Sequence, residues 1–124
     1  PDAHAGELPC VYVELIEGAS ATEAELLEYC LQNVPERAAQ PKHVEIMPEL
    51  PKTAVGKVFK PDLRKKAITR VYDAALDEAG LSARVQTVVD DKKRGLVAQV
   101  SSDNSDDEIS AVLGRFSRPW ERGL

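Results

Sequence analysis

Within Pro51-Lys52-Thr53-Ala54-Val55-Gly56-Lys57-Val58-Phe59-Lys60, a lysine directly follows a glycine in a short Pro- and Gly-bounded segment. Pro51 fixes its own φ and Gly56 takes a positive φ at little steric cost, so the residues between them can turn tightly and present Lys57. A cation held at a fixed point suits an anion: a carboxylate, a phosphate, or the charge that gathers on phosphoryl oxygens during group transfer. Alone, a Gly-Lys pair describes a solvated turn, so the whole segment carries this reading. It is not a Walker loop, because Pro51 stands five residues before Gly56 and Val58 occupies the place of the Ser or Thr that would bind Mg²⁺.

The other reactive side chains read more plainly. Lys52 and Lys60 are surface or phosphate-steering charges, and Arg64, Lys65 and Lys66 form the wet face of a helix. His4 and His43 lie far apart in sequence without metal-ligand spacing, which suits structural or exposed roles. Cys10 and Cys30 fit neither a metal spacing nor a disulfide framework, and nothing near them would activate a thiolate. A reducing cytoplasm is the expected location. The acidic run from Asp103 to Glu108 reads as a solvated helix start.

Alternating elements must position the lysine. Cys10 to Ile16 reads as a strand, with Val11, Val13 and Leu15 on one face, before Gly18-Ala19-Ser20 breaks it. Thr22 and Glu25 have capping-box spacing, and Leu27, Cys30, Leu31 and Val34 recur at helical intervals, so a helix is predicted from about Thr22 to Asn33, ended by Pro35. His43 to Met47 is a second short strand. A helix starting at Pro61 buries Ile68, Val71, Tyr72, Ala75 and Leu76 and stops at Gly80. Ala83–Val89 and Leu96–Val100 then form a hairpin through the charged turn Asp90 to Gly95. Ser105 and Glu108 open a last helix carrying Ile109, Val112, Leu113 and Phe116, and Arg115 to Leu124 reads as a loosely held end.

These elements predict an α+β domain: a small mixed β-sheet flanked by helices, with an added C-terminal β-hairpin and helix. Residues 1–80 form the core that carries the lysine loop, and 81–124 a C-terminal extension of the same domain. At 124 residues and 43% hydrophobic content the chain is long enough for a real core. It opens on Pro1 and its one methionine is Met47, so it reads as a piece of something larger. No signal segment or membrane span is visible in the sequence.

The net charge of −5 is unevenly spread. Residues 1–40 hold eight acidic and one basic residue, residues 41–70 three acidic and eight basic, and the remainder ten acidic and seven basic. The middle block is a local positive field on an acidic chain, which points to a discrete anionic ligand and away from nucleic acid.

The segment from Glu49 to Lys60, with the helix after it, closely resembles the closing motif of AMP-forming acyl-CoA synthetases of the adenylate-forming superfamily. Pro1-Asp2-Ala3-His4-Ala5-Gly6-Glu7-Leu8-Pro9 and Ala21-Thr22-Glu23-Ala24-Glu25-Leu26 resemble the same family's C-terminal domain in the same order. The resemblance covers about residues 1–70 and is nearest to bacterial fatty acyl-CoA ligases. It implies a two-step ligase: a carboxylic, here fatty, acid and ATP with Mg²⁺ form an acyl-adenylate and pyrophosphate, and CoA then yields the thioester and AMP. It also implies a partner, the large N-terminal domain, which binds most of the ATP, CoA and Mg²⁺, against which this small domain turns between two poses. Lys57 matches the family's catalytic lysine and is also an implied acetyl-acceptor, while Thr53 and Gly56 are the implied cofactor-binding residues.

The fragment alone is expected to be inactive. Two other readings stand beside this one: an adenylation domain of a carrier-protein-dependent synthetase, for which no Gly-Gly-x-Ser carrier segment follows, and a non-enzymatic α+β anion-binding module. Ala39-Gln40-Pro41-Lys42 departs from the aromatic and lysine that many relatives place before this proline. Residues 81–124 extend past the point where many relatives end, with sheet-edge protection as their expected role.

Overall fold

Hydroxyl side chains fix where two of the helices begin. Thr22 caps α1 (Glu23–Asn33) by accepting from the backbone N–H of Glu25 at 3.1 Å, and Ser105 caps α3 (Asp106–Leu113) by accepting from that of Glu108 at 3.2 Å. Both are the caps predicted from spacing. The structure, a computed structural model, describes residues 1–123. It is mixed α+β, with two compact units, residues 8–60 and residues 1–7 together with the chain from Pro61 onward.

The unit of residues 8–60 pairs β1 (Cys10–Val13) with β2 (His43–Ile46) in parallel, Cys10 opposite His43 and Val13 opposite Ile46. A parallel pair needs a long crossover, and α1 with a single 3₁₀ turn at Arg37–Ala39 supplies it. The first strand was expected to reach Ile16 but ends at Val13, because β2 is only four residues long and offers no partner beyond Ile46. Ile16 is left 81% exposed. The end of α1 is sealed by a side chain that no periodicity reveals: the Gln40 amide donates to the carbonyls of Val34 at 3.0 Å and Leu31 at 3.4 Å.

The second unit begins with a small loop in which the Asp2 carboxylate accepts from the backbone N–H groups of Ala5 and His4, contacts that hold its pKa below the usual range. Glu7 lies 3.6 Å from Arg118 of the same unit. Helix α2 (Lys60–Glu78) ends in a Schellman motif: Leu81 N–H donates to the Leu76 carbonyl, Gly80 N–H to that of Asp77, and Gly80 has φ +77°. Strands β3 (Arg84–Asp91) and β4 (Gly95–Ser101) form the expected hairpin. Its turn is shorter than the sequence suggested, because the Asp91 carboxylate accepts from the N–H groups of Lys93 and Arg94 and so closes the strands at the Asp91–Gly95 pair.

The segment after α3 is not a loose end. Trp120–Arg122 form β5, which pairs in parallel with β4 to give the order β3-β4-β5. Three long-range contacts hold it, and spacing alone could not show them. Arg122 donates to Asp106 and to the carbonyls of Ser102 and Asn104; Tyr72 donates to the Arg118 carbonyl at 2.8 Å; Trp120 packs on the core. β5 thereby covers one edge of β4, while β3, the other edge strand, carries a bulge between Val85 and Thr87.

Ile68, Tyr72 and Leu76 of α2 and Ile109, Val112 and Leu113 of α3 pack with Val85, Val88, Leu96, Ala98 and Val100 of the sheet in one buried cluster. Phe116 tilts against Tyr72 with ring centroids 4.9 Å apart. Asn104 knits the loops beneath this core. Its amide oxygen accepts from Ser82 N–H, Ser82 Oγ, Ala83 N–H and Ser102 Oγ, and its Nδ2 donates to Glu108.

Burial pushes the Tyr72 hydroxyl up to about 12, against the pull of the nearby Arg118 guanidinium. A pKa raised above the ordinary 10.0 means that this group's stabilising contribution is complete below pH 10 and is lost as pH rises towards 12. Urea unfolding at pH 7 and pH 11 is expected to show this loss in the wild type and less of it in Tyr72→Phe, which at neutral pH costs about 1 kcal/mol for the missing bond. Asn104→Ala leaves the N–H of buried Ala83 without its acceptor and is expected to cost about 1–3 kcal/mol in the same measurement.

Candidate active-site loop

The lysine segment closes on itself as a small hairpin. Lys52 and Val58 form an antiparallel bridge, Phe59 N–H donates to the Pro51 carbonyl at 2.7 Å, and Thr53 N–H donates to the Lys57 carbonyl at 2.7 Å. Ala54-Val55-Gly56 make the turn, in which Gly56 N–H donates to the Thr53 carbonyl at 3.0 Å. Gly56 has φ +83°, the left-handed position that ends three-residue hairpin turns. A Cβ there would meet nothing within 4 Å, so the dihedral, not space, demands glycine.

Thr53 bonds at the foot of the turn. Its Oγ1 accepts from the Lys57 N–H at 3.3 Å, so this side chain braces the backbone of the lysine it precedes. Thr53, Gly56 and Lys57 are therefore brought together, with Thr53 and Gly56 shaping the turn and Lys57 emerging from it. Every residue from Ala54 to Lys60 is exposed, and Val55 at the tip is 81% exposed.

The three lysines of the segment have different surroundings. Lys52 Nζ lies 3.6 Å from Glu14 Oε1, which offsets its charge. Lys57 and Lys60 have no carboxylate ion-pair partner among the described residues. Lys60 is the first residue of α2, where the helix dipole disfavours a cation. Lys57 is thus the open charge of the turn itself. Glu14, just past β1, was passed over in the sequence; an acidic residue at the end of a short strand gives no periodic signal.

The remaining candidates have their own surroundings. On the next helix Arg64 and Lys66 are exposed and Lys65 half-buried. His43 sits 3.5 Å from Glu45 of the same strand, the backbone N–H of His4 is held by Asp2, and both cysteines are free. No group of three or more His, Cys, Asp or Glu residues among those described could hold a metal ion, so this set does not fit a Mg²⁺ site. Among the described residues, no helix is long and apolar enough to cross a membrane.

Comparison with known proteins places this geometry in a family. The family described as AMP-binding enzyme C-terminal domain matches residues 1–57, a stretch that ends on Lys57. Marinolic acid–CoA ligase of Pseudoalteromonas sp. (strain SANK 73390) is 34% identical over 125 aligned residues, 98% of this chain and 19% of that protein. The 2-methylpropanoate–CoA ligase of Humulus lupulus is 46% identical over 69 residues, 54% of this chain and 12% of that protein. Probable acyl-activating enzyme 5, peroxisomal, of Arabidopsis thaliana is 45% identical over 69 residues, with the same 54% and 12% coverage. The chain thus spans less than a fifth of the length of these relatives. No solved structure matches it. Through residues 1–57 the chain belongs to the AMP-binding enzyme C-terminal domains, the small domain of AMP-forming acyl-CoA synthetases.

Proposed function

We propose that the chain is the mobile C-terminal domain of an ATP-dependent acyl-CoA ligase and that Lys57 supplies the cation for adenylation. The observation that carries this reading is an exposed lysine without an ion-pair partner among the described residues, set beside a left-handed glycine turn in the family-matched segment. In the first half-reaction a carboxylate attacks the α-phosphorus of ATP, two anions approach, and charge gathers on the phosphoryl oxygens. A positioned ammonium lowers that repulsion and stabilises the transition state. CoA then displaces AMP from the acyl-adenylate to give the thioester.

Lysine fits this part physically. Its long stem carries a point charge away from the turn, and the charge leaves again when the domain swings for the second half-reaction. The partner in this reading is a large N-terminal domain holding the acid, ATP and Mg²⁺, in keeping with the chain's 12–19% share of its relatives' length. The apolar Val55, Val58 and Phe59 on the same hairpin suit entry into another domain's cleft. Marinolic acid and 2-methylpropanoate, named for two relatives, are carboxylic acids, which supports a carboxylic acid as substrate, here proposed to be fatty. Two free cysteines fit a reducing compartment, and the cytoplasm is the proposed one. Acetylation of Lys57 would remove its charge and so the first step.

In the whole enzyme, Lys57→Ala is expected to lower acid-dependent ATP–pyrophosphate exchange by about 10²–10³-fold, while thioester formation from supplied acyl-adenylate continues. Unchanged exchange would refute the adenylation role, and tight ATP binding by the 124-residue chain alone would favour an anion-binding module. Gly56→Ala forces a side chain into the left-handed region at a cost of roughly 1–2 kcal/mol. It is expected to broaden the amide resonances of residues 53–57 and to reduce exchange less than Lys57→Ala does.

A further inference from the structure

We propose that Glu14 is a positioning residue for Lys57, anchoring the approach to the lysine hairpin through the Leu50 N–H; this rests on the adenylation role of Lys57. Between the end of β2 and the Lys52–Val58 bridge the chain runs Met47-Pro48-Glu49-Leu50-Pro51. Pro48 and Pro51 have no N–H, so the segment has only three backbone donors with which to be held. Met47 N–H donates to the Val13 carbonyl at 2.7 Å, and Leu50 N–H donates to Glu14 Oε1 at 2.8 Å. Two consecutive residues at the end of β1 therefore grip both ends of the approach.

The bond from Glu14 spans 36 residues, tying the hairpin to the strand end. Its geometry is that of a charge-assisted hydrogen bond, with an ionised acceptor and a short donor distance. The same Oε1 lies 3.6 Å from Lys52 Nζ, so the carboxylate faces a cation while it holds the backbone. On the β2 side, Glu23 Oε2 accepts from Ile46 N–H at 2.7 Å, which fixes the residue just before the approach. Among the described residues, the segment from Pro48 to Pro51 without Glu14 keeps one backbone bond, that of the Pro51 carbonyl to Phe59, which lies within the hairpin. The hairpin would then hold its own shape but lose its place, and a displacement of about 1 Å at a reacting group costs roughly 10²-fold in rate.

Glu14→Gln and Glu14→Ala separate this role from a general one. Glutamine keeps an oxygen acceptor for Leu50 N–H and drops the charge facing Lys52; alanine removes both. In the 124-residue chain, hydrogen exchange by NMR is expected to show Leu50 protected in the wild type and Glu14→Gln and unprotected in Glu14→Ala, with the β4 amides unchanged in all three. In the whole enzyme, Glu14→Ala is expected to lower kcat of the adenylation half-reaction by about 10–100-fold, with KM for ATP little changed, and Glu14→Gln to restore most of it. Leu50 protection surviving in Glu14→Ala would overturn the anchor. Equal loss in both variants would assign the effect to the charge on Lys52 and overturn it too. A Lys57→Ala enzyme with normal exchange would refute the reading of Lys57 and this positioning role with it, whereas Leu50 protection would still report on the bond.

Discussion

A backbone N–H taken out of water must find an acceptor, and in this chain the sheets are too short to provide enough of them. β1 and β2 share a ladder of four residue pairs, and β5 adds three to β4. Side chains make up the deficit: Glu14 and Glu23 take donors beyond β2, Gln40 donates to carbonyls at the end of α1, and Asn104 gathers donors from two loops. Asp73 accepts from Val85 N–H at 2.7 Å, setting the start of β3 against the helix before it. The loops of this protein are therefore held by single polar side chains reaching to backbone over distances of 6 to 36 residues. Removing one such group leaves a specific backbone group unpaired, a larger penalty than the loss of a surface ion pair.

Charge follows the same economy. Lys52 is offset by Glu14, and Arg94 is shared between Glu121 and Asp91, whose carboxylates are both held below their usual pKa range. For Glu121 the main cause is the bond from Gln99, then that from Arg94; for Asp91 it is the backbone N–H of Arg94, then that of Lys93. Arg122 is likewise taken up by Asp106 and two carbonyls. Unlike these paired cations, Lys57 is exposed on a turn whose shape is fixed by φ at Gly56. A flexible loop would spread the same charge over many positions and give up the advantage of preorganisation.

Much of this was legible in the sequence, wherever the physics is local. The Thr22 and Ser105 caps, the Gly80 stop, the apolar stripe of α2 and the glycine turn before Lys57 all lie within four or five residues of the feature they determine. The errors concern pairing between distant segments. The first strand was drawn too long because Leu15 and Ile16 continue the apolar pattern, yet strand length is set by β2. β5 was missed because Pro119-Trp120-Glu121-Arg122 has no alternation, and its place comes from Tyr72, Asp106 and the edge of β4. Glu14 was missed for the same reason, since only the fold brings it to Leu50.

Apolar burial is divided unevenly between the two units. The cluster from Ile68 to Leu113 lies wholly in the unit of residues 1–7 and the chain from Pro61, whereas the exposed large apolar side chains Leu8, Ile16, Tyr29, Leu31, Val55, Val58 and Phe59 all lie in residues 8–60. Helix α1 has no fully buried residue. Free energies of local opening track such burial, so the chain carries a graded stability, with α2, α3 and β4 in its most cooperative part and α1 near the bottom of the scale. The part that presents the lysine is thus the part whose rearrangement costs least, and the heat-capacity change of unfolding belongs mostly to the other.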